Sequence, residues 1–233
     1  MLYDGPITLK ANSEFDLIGC EVASKTVKAK VSGSFDFVAD LADSKTVRAA
    51  VVIFQPGWPV PSDAELASMK VEYNLIDAFT LNGSLSGIAT RIALLAQATW
   101  PLLKCKRALE KHINSTLPLS GITSKTSFEL ESDRLNLNSV ISKKRLALTF
   151  STPAVAHAPM EPESALVEFD GRQCEIWAPT QAPQHAKRQV ADFLTLNRDD
   201  VELHTVPIGG SFGRKRYNDF VIETAWIAQR YFQ

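Results

Sequence analysis

The segment Val201–Trp226, VELHTVPIGGSFGRKRYNDFVIETAW, decides how the rest of the chain is interpreted. Apolar residues at alternating positions predict a strand over residues 200–206. Glycines then dominate Gly209–Gly213, and a helical pattern follows with Asn218 or Asp219 as its N-cap. The predicted order is therefore strand, loop and helix.

The glycine loop has properties that suit an anion. Glycine adopts positive φ without strain and lets a ligand approach main-chain N–H groups closely. The N-terminus of the following helix adds partial positive charge. The spacing matches neither a dinucleotide-binding fingerprint nor a P-loop, since no Gly-Lys-Ser/Thr closes it. A tight strand-to-helix turn followed by solvated basic residues, Arg214–Arg216, is the competing interpretation.

Two further motifs precede the loop, HAPMEP at residues 157–162 and WAPTQ at residues 177–181. Gln181, which ends the second motif, lies 31 residues before Phe212 (212 − 181 = 31). In this order and spacing, the three motifs resemble the molybdenum-cofactor subunit of the xanthine dehydrogenase/aldehyde oxidase family. Within that family they look most like the large (beta) subunit of the isoquinoline 1-oxidoreductase type.

The resemblance implies a molybdenum–pyranopterin (molybdopterin) cofactor and oxidation of an aldehyde or N-heterocycle with water-derived oxygen. It implies that Gln181 donates a hydrogen bond to the apical oxo group and that Phe212 and Gly213 lie beside the metal. The cofactor-binding residues carried over by motif are Gln181, Gly209, Gly210, Ser211, Phe212, Gly213 and Arg214. No catalytic residue and no direct metal ligand is assigned in this chain.

Two positions refine the resemblance. Ser211 replaces the third glycine that is usual in the family, which adds a side chain to a crowded loop. Arg216 stands where purine-oxidising relatives carry an acidic residue, which disfavours a purine substrate.

Plainer roles compete at several of the quoted positions. Gln181 could cap the following helix, and Phe212 could belong to the core, as most phenylalanines do. Glu161 is flanked by prolines in HAPMEP, which favours a turn over a general base. A half-buried structural role is favoured for His157 over contact with substrate or cofactor.

Composition narrows the class of protein. The 233 residues are 45% hydrophobic and 22% charged, values typical of a globular protein with a real core. A net charge of −1 disfavours nucleic acid or an anionic membrane as the main partner. Cys20, Cys105 and Cys174 are widely spaced, which predicts three free thiols rather than a disulfide framework or a metal site. The spacing of His185 and His204 does not suggest a zinc site, so structural or exposed roles are expected for both.

The sequence also carries an expectation about location. No apolar run reaches the roughly 18 residues of a membrane span, and the first residues lack a signal pattern. These features predict a cytoplasmic chain without membrane association, while the resemblance allows a periplasmic location for a full-length relative.

The first part of the chain has a mixed pattern. Alternation at Val27, Ala29 and Val31, followed by Gly33 and an apolar run at residues 35–38, predicts a hairpin or bent strand pair. Further strands are predicted over residues 46–54, 71–80 and 88–96, with helices over 63–70 and 99–113, the last with Trp100, Leu103 and Leu109 inward. The segments LIG, KTVKAKVSGSFDFVADL and RAAVVIFQP resemble the opening of the family's α/β hammerhead domain.

The fold class predicted from these patterns is α+β. Residues 1–113 form a hammerhead-like α/β domain with a lead-in, and residues 114–144, rich in Ser, Thr, Asn and Lys, form a linker or boundary. Residues 145–233 form the first part of a molybdenum-cofactor-binding α/β domain. Its strands are predicted over 145–155, 165–169 and 173–177, and a helix over 184–194.

Three functional hypotheses follow. The favoured one is a truncated molybdenum hydroxylase subunit, because the family's catalytic glutamate lies in a late segment that the resemblance does not cover. It implies the remainder of the large subunit and a small [2Fe–2S] subunit as partners, since a cluster needs four thiolates and the chain has three cysteines. The alternatives are a non-catalytic protein-interaction module, which could self-associate, and a small anion-binding protein that uses the glycine loop.

Overall fold

The computed structural model describes residues 9–81, 89–116 and 155–232, which form two three-stranded sheets with associated helices. The helices are α1 (Val27–Ser32), α2 (Asp63–Glu72), α3 (Thr99–Thr116), α4 (Pro183–Leu194) and α5 (Asp219–Phe232). The strands are β1 (Arg48–Phe54), β2 (Asp77–Leu81), β3 (Thr90–Ala96), β4 (Leu166–Phe169), β5 (Cys174–Ala178) and β6 (Val201–Thr205). The fold is α+β, as predicted.

The first sheet has the order β1-β3-β2, with both outer strands antiparallel to β3. Successive side chains of β3 point to opposite faces, so Ile92 and Leu94 pack with α2 and α3 while Ala93 and Leu95 face the other way. The central strand is therefore buried on both faces, which explains its nearly continuous apolar sequence. The predictions of β1, α2, β3 and α3 are confirmed.

The second sheet has the order β4-β5-β6, in which β4 is antiparallel to β5 and β5 is parallel to β6. Helix α4 makes the crossover between the parallel strands. One face of this sheet packs against α4 and α5 through Ile176, Val190 and Val221, all of which are fully buried. The predicted hairpin around Asp170-Gly171, the helix α4 and the strand β6 are confirmed.

Helix α5 connects the two sheets. Val221 and Ala225 face the second sheet, while Ile227 packs with Phe79 and Leu95 on the outer face of the first sheet. The helix is apolar around most of its circumference because it is covered on two sides. Glu223 on this helix also accepts a hydrogen bond from Arg91 of β3 across the same contact.

Two predicted strands are wrong in part. Residues 27–31 form the short helix α1, which ends at Gly33 with φ of 71° and with the Ser34 N–H bonded to the Ala29 carbonyl. The glycine is thus a helix C-cap, and the alternation marks no buried face because Val31 is 83% exposed. Residues 71–76 do not belong to a strand, since α2 continues to Glu72 and β2 begins at Asp77.

Other predictions differ or remain open. Trp100 and Leu103 were expected to face inward from α3, but they are 58% and 41% exposed, and Leu102, Cys105 and Leu109 form the buried stripe instead. The predicted linker 114–144, apart from the end of α3, lies outside the described residues, as does most of the strand predicted from residue 145. None of the described helices is both long and apolar enough to cross a membrane.

Candidate functional site

The glycine loop leaves β6 and follows an irregular path to α5. Gly210 and Gly213 have φ of 100° and 88°, and Phe212 between them has φ of 52°. A left-handed conformation costs a non-glycine residue on the order of 1–2 kcal/mol. Phe212 is also 74% exposed, so it does not belong to the core. A strained and exposed aromatic residue marks this turn as a functional candidate rather than a packing element.

HAPMEP lies directly against the loop. The Glu161 N–H donates to the Gly209 carbonyl at 3.0 Å, and the Gly209 N–H donates to Glu161 Oε2 at 2.8 Å. A Cβ at Gly209 would lie 2.6 Å from the Glu161 Cβ, so a larger residue would separate the two segments. Close approach is therefore the physical reason for glycine at this position.

A buried ion pair holds this contact. Lys215 is fully buried, and its Nζ lies 2.5 Å from Glu161 Oε2. The competing interpretation, in which Arg214–Arg216 are all solvated, is wrong, because Arg216 alone of the three is exposed. Glu161 is neither a simple turn residue nor a free carboxylate, because its side chain binds both the loop and the lysine.

Arg214 is anchored by two carboxylates. Its guanidinium donates to both oxygens of Asp219 at 2.8 and 2.7 Å and contacts Glu163 Oε1 at 2.8 Å. Burial acts to raise the Asp219 pKa, but the hydrogen bonds and charge of Arg214, together with backbone hydrogen bonds, lower the pKa below its ordinary value. Burial raises the Glu163 pKa, with Arg214 opposing. The guanidinium thus fixes the start of α5 and the end of the loop.

Gln181 and the loop meet through Ser211. The Ser211 Oγ lies 2.5 Å from Gln181 Oε1 and accepts a hydrogen bond from the Lys215 N–H at 3.0 Å. The Gln181 N–H donates to the Lys215 carbonyl at 3.0 Å. Gln181 does not cap α4, since Thr180 accepts the hydrogen bond from the Ala182 N–H. Motif residues 31 positions apart (212 − 181 = 31) thus converge on one turn.

A second hydrogen-bond chain lies beneath this turn. Thr180 Oγ1 donates to Asn218 Oδ1 at 2.7 Å, and Asn218 Nδ2 donates to Gln189 at 3.1 Å. Both Thr180 and Asn218 are buried. The sequence patterns did not indicate Thr180, Gln189 or Lys215, and they indicated Asn218 only as an N-cap candidate for α5, which begins at Asp219.

The histidines lie outside this turn. His157 and His185 are exposed, so the half-buried position predicted for His157 is wrong. His204 stacks on Trp177 at 5.1 Å between ring centroids, and its Nε2 lies 2.8 Å from Glu175 Oε1. The His204 ring nitrogen and one carboxylate oxygen each of Glu175 and Glu202 lie within 4.8 Å of one another, close enough to hold a metal ion. No sequence motif indicates this group, because its members come from two strands.

The turn fits a ligand that presents hydrogen-bond acceptors. The backbone N–H groups of Phe212 and Gly213 and the Gln181 Nε2 make no hydrogen bond to any described residue. Gln181, Phe212 and Gly213 are exposed, so their donors lie at an open surface. A cofactor with oxo and phosphate oxygens has the complementary chemistry.

Comparison with known proteins shows which proteins this part of the chain resembles. Residues 137–231 match the family described as the molybdopterin cofactor-binding domain. The chain is 27% identical over 73 residues to the aldehyde oxidoreductase molybdenum-binding subunit PaoC of Escherichia coli K12, covering 31% of this chain and 10% of that protein. It is 34% identical over 77 residues to the isoquinoline 1-oxidoreductase subunit beta of Brevundimonas diminuta, covering 32% and 10%.

A solved structure resembles this chain in fold over a longer stretch than the family match covers. The quinoline 2-oxidoreductase of Pseudomonas putida 86 superposes with a TM-score of 0.58 at 16% identity, covering 90% of this chain and 33% of that one. Over these stretches the chain is similar to molybdenum-cofactor-binding oxidoreductase subunits, and it spans a third or less of the length of these relatives. The domain bounds, including the hammerhead-like unit over residues 1–113, stay a prediction.

Proposed function

We propose that this chain supplies part of the cofactor-binding wall of a molybdenum hydroxylase that oxidises an aldehyde or N-heterocycle. The observation that carries the proposal is the convergence of Gln181 with the glycine loop, through the 2.5 Å contact to Ser211. When bound, the molybdenum–pyranopterin cofactor supplies the chemistry that inserts a water-derived oxygen at a C–H carbon.

The residues of this chain would bind and orient that group. The Gln181 amide and the N–H groups of Phe212 and Gly213 donate hydrogen bonds to its oxygen atoms. Gly209 and Gly210 would contribute indirectly, because they let the loop pack against HAPMEP. The exposed ring of Phe212 would be free to contact the group. Arg214 contributes by holding the loop, because both edges of its guanidinium already contact carboxylates.

Catalysis would require residues from other segments. Glu161 and Glu163 beside the loop are paired with Lys215 and Arg214, which leaves neither free to act as a general base. Gln181, Phe212 and Gly213 lie at an open surface, so further walls are needed to exclude water. These observations support a chain that is not catalytically competent by itself and that works with the remainder of a large subunit.

An iron–sulfur partner subunit completes the proposal. Burial raises the pKa of Cys105 to about 11 and of Cys174 to about 12, so neither thiol is readily ionised. A [2Fe–2S] cluster needs four thiolates, and this chain has three cysteines. The cluster would therefore need thiolates from outside these 233 residues, and we assign it to a small partner subunit.

The cofactor proposal is tested by retention of the cofactor. The purified chain is mixed with pyranopterin cofactor released from a denatured molybdoenzyme and passed through a gel-filtration column. We expect molybdenum, measured by elemental mass spectrometry, and oxidised-pterin fluorescence to remain with the chain at well below one per chain. Gln181→Ala should weaken retention by about tenfold, the effect of one good hydrogen bond.

Gln184→Ala is the matched control, because Gln184 is exposed on α4 three residues away. It should retain the cofactor as the unmodified chain does. Equal retention by Gln181→Ala and the unmodified chain would remove Gln181 from the site. Near-stoichiometric retention would overturn the incomplete-wall proposal and point to a minimal enzyme.

A non-catalytic interaction module is the second candidate, favoured by exposed apolar side chains. Leu17, Ile18, Val22 and Val31, within one N-terminal stretch, are between 65% and 83% exposed. Contiguous exposed apolar surface marks interaction sites. If this surface drives self-association, multi-angle light scattering should give twice the 25.6 kDa chain mass, and Ile18→Lys should restore the monomer. A monomer at all concentrations would count against the module.

A further inference from the structure

We propose that Ser211 is a positioning residue that holds the side-chain amide of Gln181 with its NH2 group free to donate to the ligand. This inference deepens the proposed function, since it concerns how Gln181 is presented at the same site. Ser211 would not contact the cofactor itself, because its hydroxyl already contacts Gln181 and Lys215. The ligand class it selects is a hydrogen-bond acceptor, such as an oxo group or another oxyanion.

The hydrogen-bond directions support this role. The Lys215 backbone N–H can act only as a donor, and it lies 3.0 Å from Ser211 Oγ. The hydroxyl proton is then available to donate to Gln181 Oε1, 2.5 Å away. Gln181 Oε1 is thus taken by the hydroxyl, and the Nε2 donors have no partner among the described residues.

The series of hydrogen bonds from Lys215 through Ser211 to Gln181 is fixed at Lys215. Lys215 is fully buried and its ammonium group is paired with Glu161, so its backbone N–H cannot readily reorient. Ser211 is 9% exposed, whereas Gln181 is exposed. A rigid and buried donor therefore orients an exposed amide, which would otherwise rotate freely in water.

The opposite orientation of the amide is disfavoured. If Nε2 faced Ser211, the hydroxyl oxygen would accept hydrogen bonds from both Nε2 and the Lys215 N–H, and its own proton would need another acceptor. A buried donor without a partner is costly. Because Gln181 Oε1 is the acceptor that Ser211 contacts, the serine hydroxyl favours one orientation of the amide.

The test measures the mobility of the Gln181 side chain without any cofactor. The ¹⁵N order parameter of the Gln181 NH2 group is measured by NMR relaxation, with the exposed Gln184 as an internal reference. We expect Gln181 to be clearly more ordered than Gln184 in the unmodified chain. Ser211→Ala should lower the Gln181 value to that of Gln184, and Ser211→Thr, which keeps the hydroxyl, should restore it.

Two results would overturn the inference. One is a Gln181 amide as mobile as that of Gln184 in the unmodified chain, a result that needs no variant to fold. The other is an unchanged order parameter in a folded Ser211→Ala chain, with folding checked from the backbone amide shifts of α4 and α5. Neither result depends on cofactor retention, so failure of this inference and failure of the proposed function are separate outcomes.

Cofactor retention gives a second readout. Ser211→Ala should weaken cofactor retention several-fold, and Ser211→Thr should not. A chain with Gln181→Ala and a chain with both Gln181→Ala and Ser211→Ala should retain the cofactor equally. If Ser211→Ala lowers retention further in a Gln181→Ala chain, the serine acts by another route and the inference is wrong.

Discussion

Replacing Arg91 by methionine is expected to lower the free energy of unfolding by about 3–5 kcal/mol, the usual cost of removing one partner of a buried ion pair. Arg91 Nε lies 2.6 Å from Glu223 Oε1, and the two side chains are 5% and 10% exposed. They join β3 of the first sheet to α5, which also packs on the second sheet. The loss should therefore affect the contact between the sheets as well as the total stability.

The matched control is Lys70→Met, which breaks the Lys70–Asp77 pair whose side chains are 44% and 46% exposed. An exposed pair contributes about 0–1 kcal/mol, so this variant should be nearly unchanged. The double variant R91M/E223L should recover most of the lost stability because it leaves no buried charge. Urea unfolding followed by circular dichroism gives all four values. A loss below about 1 kcal/mol for Arg91→Met would show that Glu223 finds water or another partner.

The pH dependence of the stability of Arg91→Met is a second, independent test of this ion pair. Burial raises the Glu223 pKa above its ordinary value, with Arg91 acting in the opposite direction. Without Arg91 the folded-state pKa should rise further, so the folded chain holds a proton that the unfolded chain releases. Stability of Arg91→Met should then fall as pH rises from the ordinary glutamate pKa through the raised one. The destabilisation should accordingly be larger at pH 8 than at pH 5.

Much of the fold could be predicted from local pattern. The run around β3 is apolar because both faces of the strand are covered, and Asp170-Gly171 marks a hairpin because its turn needs a positive φ. Residues 27–31 were misassigned because a short exposed segment carries no information about a buried face. The prediction that Trp100 and Leu103 face inward was wrong for a related reason. Helix periodicity predicts that a helix has one apolar face, but it does not decide which of several apolar residues lie on the buried face.

The proximity of Gln181 to the glycine loop could be predicted because each lies in a recognisable sequence motif and the two motifs have a fitting separation. The role of these residues in binding a cofactor stays a prediction. Lys215 was not found, because a lysine between two arginines is typical of a solvated surface. Its partner Glu161 is 54 residues away, and only the folded chain brings the two together. The same is true of His204 with Glu175, which come from neighbouring parallel strands.

Lys215→Met should produce the second large effect, again a loss of about 3–5 kcal/mol in the free energy of unfolding. The substitution keeps most of the volume of the fully buried side chain but removes the charge paired with Glu161. Glu161 Oε1 already has no hydrogen-bond partner among the described residues, so the carboxylate would be left with the Gly209 N–H alone. A buried carboxylate in that state is strongly disfavoured.

Unlike the Arg91 variant, this one should also loosen the candidate site. The Glu161–Gly209 hydrogen bonds depend on a carboxylate that Lys215 holds in place, so hydrogen exchange at the Gly209 amide should become faster than the change in global stability explains. Arg216→Met is the control, because Arg216 is the exposed neighbour and its loss should change stability by less than about 0.5 kcal/mol.

The double variant E161Q/K215M separates charge from geometry. The glutamine keeps an acceptor for the Gly209 N–H and removes the unpaired charge, so it should recover most of the stability lost in Lys215→Met. Recovery of stability with continued fast exchange at Gly209 would mean that the lysine itself orders the loop. If Lys215→Met behaves like Arg216→Met instead, the buried pair does not hold HAPMEP against the glycine loop, and the loop must be ordered by Arg214 and Ser211 alone.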